Sequence, residues 1–334
     1  MAFVVDSSDW NFDDCGRAQI SERVEGFLSA IDTILSRGEE VWIGSDLQTK
    51  EILQDFTLWD LFSPESGAGL SREICQELSA ILNAARYYED EVDGWPPGFE
   101  ALNQVSIGGE ELTANLDVLW AFCQRNIRSA CALIGLTKRG VYPVSSNGVS
   151  HDLHWVNSEE ERLGFWRDAI TVQGDSFAML ERLASHAYPN LYFPASLWRA
   201  GDQFGGGYHS QSTELRKYLE RLDSFGAWVF TAPPPDENFS LNQSSGTGDP
   251  SSQLVIRRFA CLGLDIVPEK PNVAADNDCK RARTITLGGA ELYCHWHGRL
   301  QLWANRVHIH PPVPQSGGKV IVGIMKDHLP LPGD

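Results

Sequence analysis

Residues 290–310 constrain this chain more than any other stretch. They read Ala-Glu-Leu-Tyr-Cys-His-Trp-His-Gly-Arg-Leu, then Gln-Leu-Trp-Ala-Asn-Arg-Val-His-Ile-His. At a period of two, Glu291, Tyr293, His295, His297 and Arg299 fall on one side, and Leu292, Cys294 and Trp296 on the other. Alternate side chains of a strand point to opposite faces, so the pattern predicts a half-buried strand with one polar face. The next run repeats it, with Arg306, His308 and His310 against Val307 and Ile309. A turn-rich link over 311–318 leads to a third apolar run over 319–325, which ends in Lys326-Asp327-His328. Three strands joined this closely predict an antiparallel meander. Five of the nine histidines lie in the last 45 residues. With the polar faces aligned, one sheet surface gathers Tyr293, four histidines and two arginines.

The rest of the chain must frame that surface. Its 334 residues suggest two domains. A short apolar run at 3–6 ends in Asp6, and a helix over 20–37 follows, with Val24, Phe27, Leu28, Ile31, Ile34 and Leu35 at helical spacing and Gly38 as its stop. A second strand over 40–44 precedes Asp46. Strand, helix, strand predicts a small α/β unit with parallel strands. Further helices are expected over 71–88 and 116–134, with short strands at 141–144 and 154–156. Ser158 and Glu161 form a capping-box pair that starts a helix running to about 170. The first domain is therefore 1–170. The second, 171–334, holds helices over 175–186, 213–225 and 253–264, an irregular stretch over 188–207, and a Pro/Ser/Gly-rich linker over 232–252. A connector over 267–278 and the basic cluster Lys280-Arg281-x-Arg283 lead into the terminal strands. Gly205-Gly206-Gly207 lacks the Lys-Ser/Thr of a phosphate-binding loop and reads as a plain loop. The fold class is α+β: an acidic, helix-rich α/β domain, then helices and an antiparallel sheet.

Charge separates the two ends. Residues 1–100 hold 21 acidic and 6 basic side chains, and residues 280–334 hold 3 acidic and 7 basic ones. The acidic front repels nucleic acid and suits a protein partner, or simply keeps the chain in solution; the basic end suits RNA or the ribosome. No run is long and apolar enough for a membrane span. The seven cysteines are scattered, odd in number and without a Cys-x-x-Cys pair, which predicts reduced thiols and a cytoplasmic setting.

RNA cleavage without metal needs a base for the 2′-hydroxyl, an acid for the leaving oxygen and cations for the phosphate. Histidine exchanges protons near neutrality, and the arginine fork matches two phosphate oxygens. Tyr293, His295, His297, Arg299, Arg306 and His308 supply these groups from one face, with Lys326 and His328 at the end of the next strand. The run Asn-Arg-Val-His-Ile-His, a turn, then Gly-Lys-Val-Ile-Val-Gly-Ile-Met-Lys-Asp-His-Leu resembles the last hairpin of the RelE/ParE toxin superfamily. The resemblance covers about 50 residues and touches Arg306, Lys326 and His328, with His297 and Arg299 on the preceding strand. It implies a metal-free ribonuclease of the toxin or antiviral-effector type, with no cofactor. The acidic front has no counterpart in that superfamily.

Two other readings stand beside it. His295-x-His297 and His308-x-His310 are two His-x-His pairs, and four imidazoles on adjacent strands suit a divalent transition metal. Glu291 is then the one carboxylate expected on that face. Alternatively the surface binds nucleic acid or protein without catalysis, with Trp303 and Tyr293 as anchors. In the front half, Asp6 and Asp46 at equivalent strand ends resemble the start of a PIN-type nuclease, where a first strand ends in a metal-binding Asp. Asp9, Asp13, Asp14 and Glu51 are the further acidic candidates, unless they are simply solvated.

Overall fold

Phe3, Val4 and Val5 are almost wholly buried, which places the first strand in the middle of a sheet. The computed structural model describes residues 2–90, 98–99, 104–231 and 250–333. Residues 232–249 of the Pro/Ser/Gly-rich linker and most of residues 91–103 lie outside them. The chain divides into two compact units, 1–174 and 175–334.

Unit 1 runs β1 (Ala2–Val5), α1 (Arg17–Ser36), β2 (Glu40–Ile43), α2 (Asp46–Thr49), β3 (Glu51–Leu53), β4 (Phe56–Thr57), α3 (Arg72–Ala84) and β5 (Arg86–Tyr87). It continues with β6 (Ser106–Ile107), α4 (Leu116–Asn126), β7 (Cys131–Ile134), β8 (Gly140–Ser146), β9 (Val149–Val156) and α5 (Glu159–Val172). Its seven-stranded sheet has the order β5-β2-β1-β7-β9-β8-β6. β5, β2, β1, β7 and β9 are parallel, and the β8–β9 and β6–β8 pairs are antiparallel. The strand-helix-strand start is therefore a parallel unit, as its pattern predicts.

Two expected helices are shorter than their apolar spacing suggests. The 116–134 helix stops at Asn126; Arg128 takes a left-handed φ of 60°, and Cys131–Ile134 is a fully buried strand. A central parallel strand is apolar on both faces, so its sequence does not differ from a buried helix segment. The 71–88 helix ends at Ala84, and Arg86–Tyr87 pairs with β2 instead. The short strands expected at 141–144 and 154–156 are parts of one long hairpin around Asn147-Gly148, with Asn147 at φ 48° and Gly148 at φ 80°.

The acidic residues of unit 1 form no metal cluster among the described residues. Asp46 is exposed. Asp6 is buried and saturated by donors: Trp155 Nε1 at 2.8 Å, Asn115 Nδ2 at 3.1 Å, and Ser8 N and Oγ at 3.1 and 2.6 Å. Asp9 accepts from the backbone of Thr137 and Lys138 at 2.6 and 3.0 Å. Beside Asp6, Asp117 accepts from Ser7 N and Oγ at 2.8 and 2.6 Å and from the Tyr88 hydroxyl at 2.9 Å. Burial pushes its carboxyl up to about 6, and the Asp6 charge adds to the shift. The native protein thus binds this proton more tightly than the unfolded chain does. Its stabilising contribution is complete below the ordinary value of 3.8 and disappears as pH rises through about 6. Asp117→Asn is expected to remove that slope, so denaturant titrations of variant and wild type diverge across this window. Parallel curves over the same window would contradict the assignment.

Unit 2 runs α6 (Phe177–Ala187), β10 (Leu191–Tyr192), α7 (Ala195–Ala200), α8 (Ser212–Val229), α9 (Ser252–Cys261), β11 (Ile266–Pro268), α10 (Pro271–Ala275) and α11 (Asn277–Ala282). It ends with β12 (Thr284–Leu287), β13 (Ala290–Tyr293), β14 (Trp296–Arg299), β15 (Arg306–His310) and β16 (Val320–Lys326). The main sheet has the order β10-β16-β15-β14-β11; β10 is parallel to β16 and the other pairs are antiparallel. The fold is therefore mixed, an α/β unit followed by helices and a mostly antiparallel sheet. No helix among the described residues is long and apolar enough to cross a membrane.

The strand expected over 290–299 is broken. β13 pairs only with β12, and β14 belongs to the main sheet. Between them Cys294 is wholly buried and its backbone N–H donates to the Arg283 carbonyl at 2.8 Å. Cys294 Sγ fills the space over Gly323, where an added Cβ would lie 2.5 Å from the sulfur. That glycine sits in the bulge of β16, between the His308↔Ile324 and Ile309↔Val322 pairs. On the helix-covered face of β14, Gly298 lets the Tyr218 ring approach; a Cβ there would stand 2.6 Å from Cε1. The Tyr218 hydroxyl donates to the Arg299 carbonyl at 2.9 Å and accepts from Asp265 N at 3.0 Å, which fixes the end of β14. Trp296 on the same face packs against Phe230 and Phe259.

Candidate active site

Because Trp296 and Gly298 face the helices, His297 and Arg299 must face the other way. β15 brings His308 directly opposite His297 and Arg306 opposite Arg299. The two imidazole centroids are 5.6 Å apart. This much follows from the alternating pattern. The burial does not: His308 is only 2% exposed, so this polar face is covered.

The cover comes from the connector over 267–278 and from the chain end. β11 pairs with β14 and delivers Glu269 to the histidines. Glu269 Oε1 lies 3.4 Å from His297 Nδ1 and 3.8 Å from His308 Nδ1. Arg283, just after α11, donates from Nε to the same oxygen at 2.7 Å. Its Nη1 donates to the Cys279 and Pro330 carbonyls, each at 3.0 Å, so the guanidinium is buried and held on three sides. A pocket of about 380 Å³ opens over this cluster, lined among others by Lys270, Arg283, His297, Arg299, Trp303, Arg306, His308 and His328.

The electrostatics of the pocket follow from burial and cations together. Burial drives the His308 imidazole well below the ordinary range, and His297 and Arg283 push the same way; the Cys294 backbone opposes them weakly. Burial also lowers His297, against the pull of Glu269 and with help from Arg306, Arg299 and Arg283. Both rings are therefore neutral at pH 7. Neither nitrogen of His308, nor Nδ1 of His297, makes a well-formed hydrogen bond. A buried imidazole without a full hydrogen bond can serve as a base or a metal ligand. The surroundings are cationic, which suits an anionic ligand.

The predicted residues distribute as follows. His297, Arg299, Arg306, His308 and His328 line the pocket. Tyr293 lies on β13 and stacks on His295 at 5.9 Å; its phenol is held protonated by burial and by the Glu269 charge. His295 falls in the break between β13 and β14 and is lowered chiefly by burial. His310 Nδ1 donates to the Pro311 carbonyl at 2.7 Å. Lys326 pairs with Arg306 in register but lines a neighbouring cleft with Arg199 and Thr284. The four-histidine metal set therefore does not form: the one three-donor cluster among the described residues is Glu269, His297 and His308, with ligand atoms within 4.8 Å of one another. Glu291, the carboxylate expected there, is exposed on the separate hairpin. Glu269 and Arg283 are the residues that pattern reading misses. Glu269 sits in Pro-Glu-Lys-Pro with no periodic signal, and Arg283 is one cation in a cluster of three.

Comparison with protein-family models, with curated proteins and with solved structures gave no match.

Proposed function

We propose that the unit 2 pocket binds RNA and cleaves it without metal, as the catalytic part of an effector or toxin-type protein. The observation that carries this reading is the neutral His297–His308 pair, set beside Arg299 and Arg306 on a covered sheet face. His297 is the more accessible imidazole and takes the proton of the 2′-hydroxyl. The freed oxygen attacks phosphorus, the bond from phosphorus to the 5′-oxygen breaks, and a 2′,3′-cyclic phosphate remains. The leaving oxygen takes a proton from the acid, the role given to His328, which lines the same pocket. Arg299 meets the phosphate, as its one carboxylate contact among the described residues, Asp265, is exposed and 3.4 Å away. The acidic front unit, which has no place in this chemistry, is assigned to a protein partner.

One observation favours a second reading. Glu269, His297 and His308 form a two-histidine, one-carboxylate set of the kind that holds a divalent transition metal. Against it, Arg283 already occupies the near oxygen of Glu269. The two readings separate in one experiment. Purified protein is assayed for bound metal and for RNA cleavage with and without EDTA. Cleavage that survives EDTA and leaves a cyclic phosphate supports the first reading. Near-stoichiometric metal, with cleavage lost in EDTA, replaces it with the second.

A further inference from the structure

We infer that Trp303 is a platform on which an unpaired nucleobase stacks, so that the pocket selects single-stranded RNA over duplex. The inference rests on the RNA reading above and deepens it. Trp303 is 83% exposed and Leu302 68%, the two most exposed large hydrophobic side chains among the described residues. Both line the pocket with Arg299, Arg306 and Lys270.

The loop that carries them, 300–305, is not slack. The Leu300 N–H donates to the Asn305 carbonyl at 3.0 Å and closes it. Asn305 is wholly buried and takes a left-handed φ of 56°. Its side chain accepts from Gly205 N at 2.8 Å and donates to the Gly205 carbonyl and to Gln301 Oε1, each at 3.1 Å. Arg306 Nη1 donates to the Gln301 and Ala304 carbonyls at 2.9 and 2.7 Å. The loop is thus fastened from within by Asn305 and Arg306, and the indole is left in water. An indole held in water forgoes the gain of burial, which a bound ring face restores.

The cations around it indicate what that ring belongs to. An aromatic face beside arginines and a lysine is the composition that binds single-stranded nucleic acid, the cations taking the phosphates and the ring taking a base. A duplex keeps its bases stacked on one another and offers no free face. An apolar protein segment would meet the same indole but would gain nothing from Arg299 and Lys270.

Binding tests this apart from cleavage. A short, dye-labelled RNA with 2′-fluoro sugars cannot be cut by attack of a 2′-hydroxyl. It is titrated, alone and annealed to its complement, into the full chain and into Trp303→Ala and Trp303→Tyr. Trp303→Ala is expected to weaken single-strand binding roughly tenfold, the order of one stacked base, while Trp303→Tyr retains most of it. The duplex is expected to bind more weakly and to respond little to either change. Equal affinity of Trp303→Ala and wild type for the single strand would overturn the platform, as would equal losses for strand and duplex, or no binding by wild type. If the strand binds through Trp303 but ordinary RNA is not cut, the platform stands and the ribonuclease reading fails. If RNA is cut and Trp303→Ala binds as wild type does, the platform alone fails.

Discussion

His297→Ala is expected to slow RNA cleavage by about 10²- to 10⁴-fold, the usual contribution of a positioned general base. The side chain lies at the floor of the pocket, opposite His308 and 3.4 Å from Glu269. Its loss removes the proton acceptor without touching the Arg299 side chain or the loop that Arg306 holds. Affinity for uncleavable RNA should therefore change only a few-fold, so the loss appears in the rate of the chemical step. Single-turnover cleavage beside a binding titration separates the two quantities. Equal losses in both would recast His297 as a binding residue, and unchanged cleavage would move the base elsewhere. Amide exchange in β14 and β15 serves as the control that the sheet remains formed.

Glu269→Ala is expected to destabilise unit 2 by about 3–5 kcal/mol, the cost of leaving one member of a buried ion pair alone. The partner left behind is Arg283, whose side chain is 3% exposed against 7% for Glu269. Arg283 keeps its bonds to the Cys279 and Pro330 carbonyls, but these carry no charge to offset its own. Replacing both residues, as Glu269→Ala with Arg283→Met, should recover much of the loss, because the buried charge goes with its partner. Hydrogen exchange of the β14 and β15 amides reports this unit directly. A single variant with wild-type exchange would mean that water reaches Arg283 and that the cover over the histidines is loose.

Both experiments address a site that the sequence reveals in halves. The period-two runs around His297 and His308 are enough to place two histidines and two arginines on one face of adjacent strands, and the register pairs them as the pattern requires. The same alternation joined Tyr293, His295 and His297 into one strand. Burial of Cys294 over the bulge at Gly323 divides that strand, and no period reports a bulge in a different strand. In the front unit, Cys131–Ile134 reads as the end of a helix because a doubly buried strand and a buried helical turn are both continuously apolar.

By itself the sequence determined the mixed architecture, the parallel start, and the polar face shared by His297, Arg299, Arg306 and His308. Local periodicity carries that information, since it fixes which side each residue of an element takes. Only the tertiary structure decided that this face is covered, that Glu269 and Arg283 meet the histidines, and that Asp6 and Asp117 are enclosed by donors. Those contacts join residues far apart in the chain, such as Ser7 with Asp117 and Glu269 with His308. They depend on how elements pack, and packing leaves no local repeat to read. The burial that follows from it turns a row of surface histidines into two neutral imidazoles in a cationic pocket.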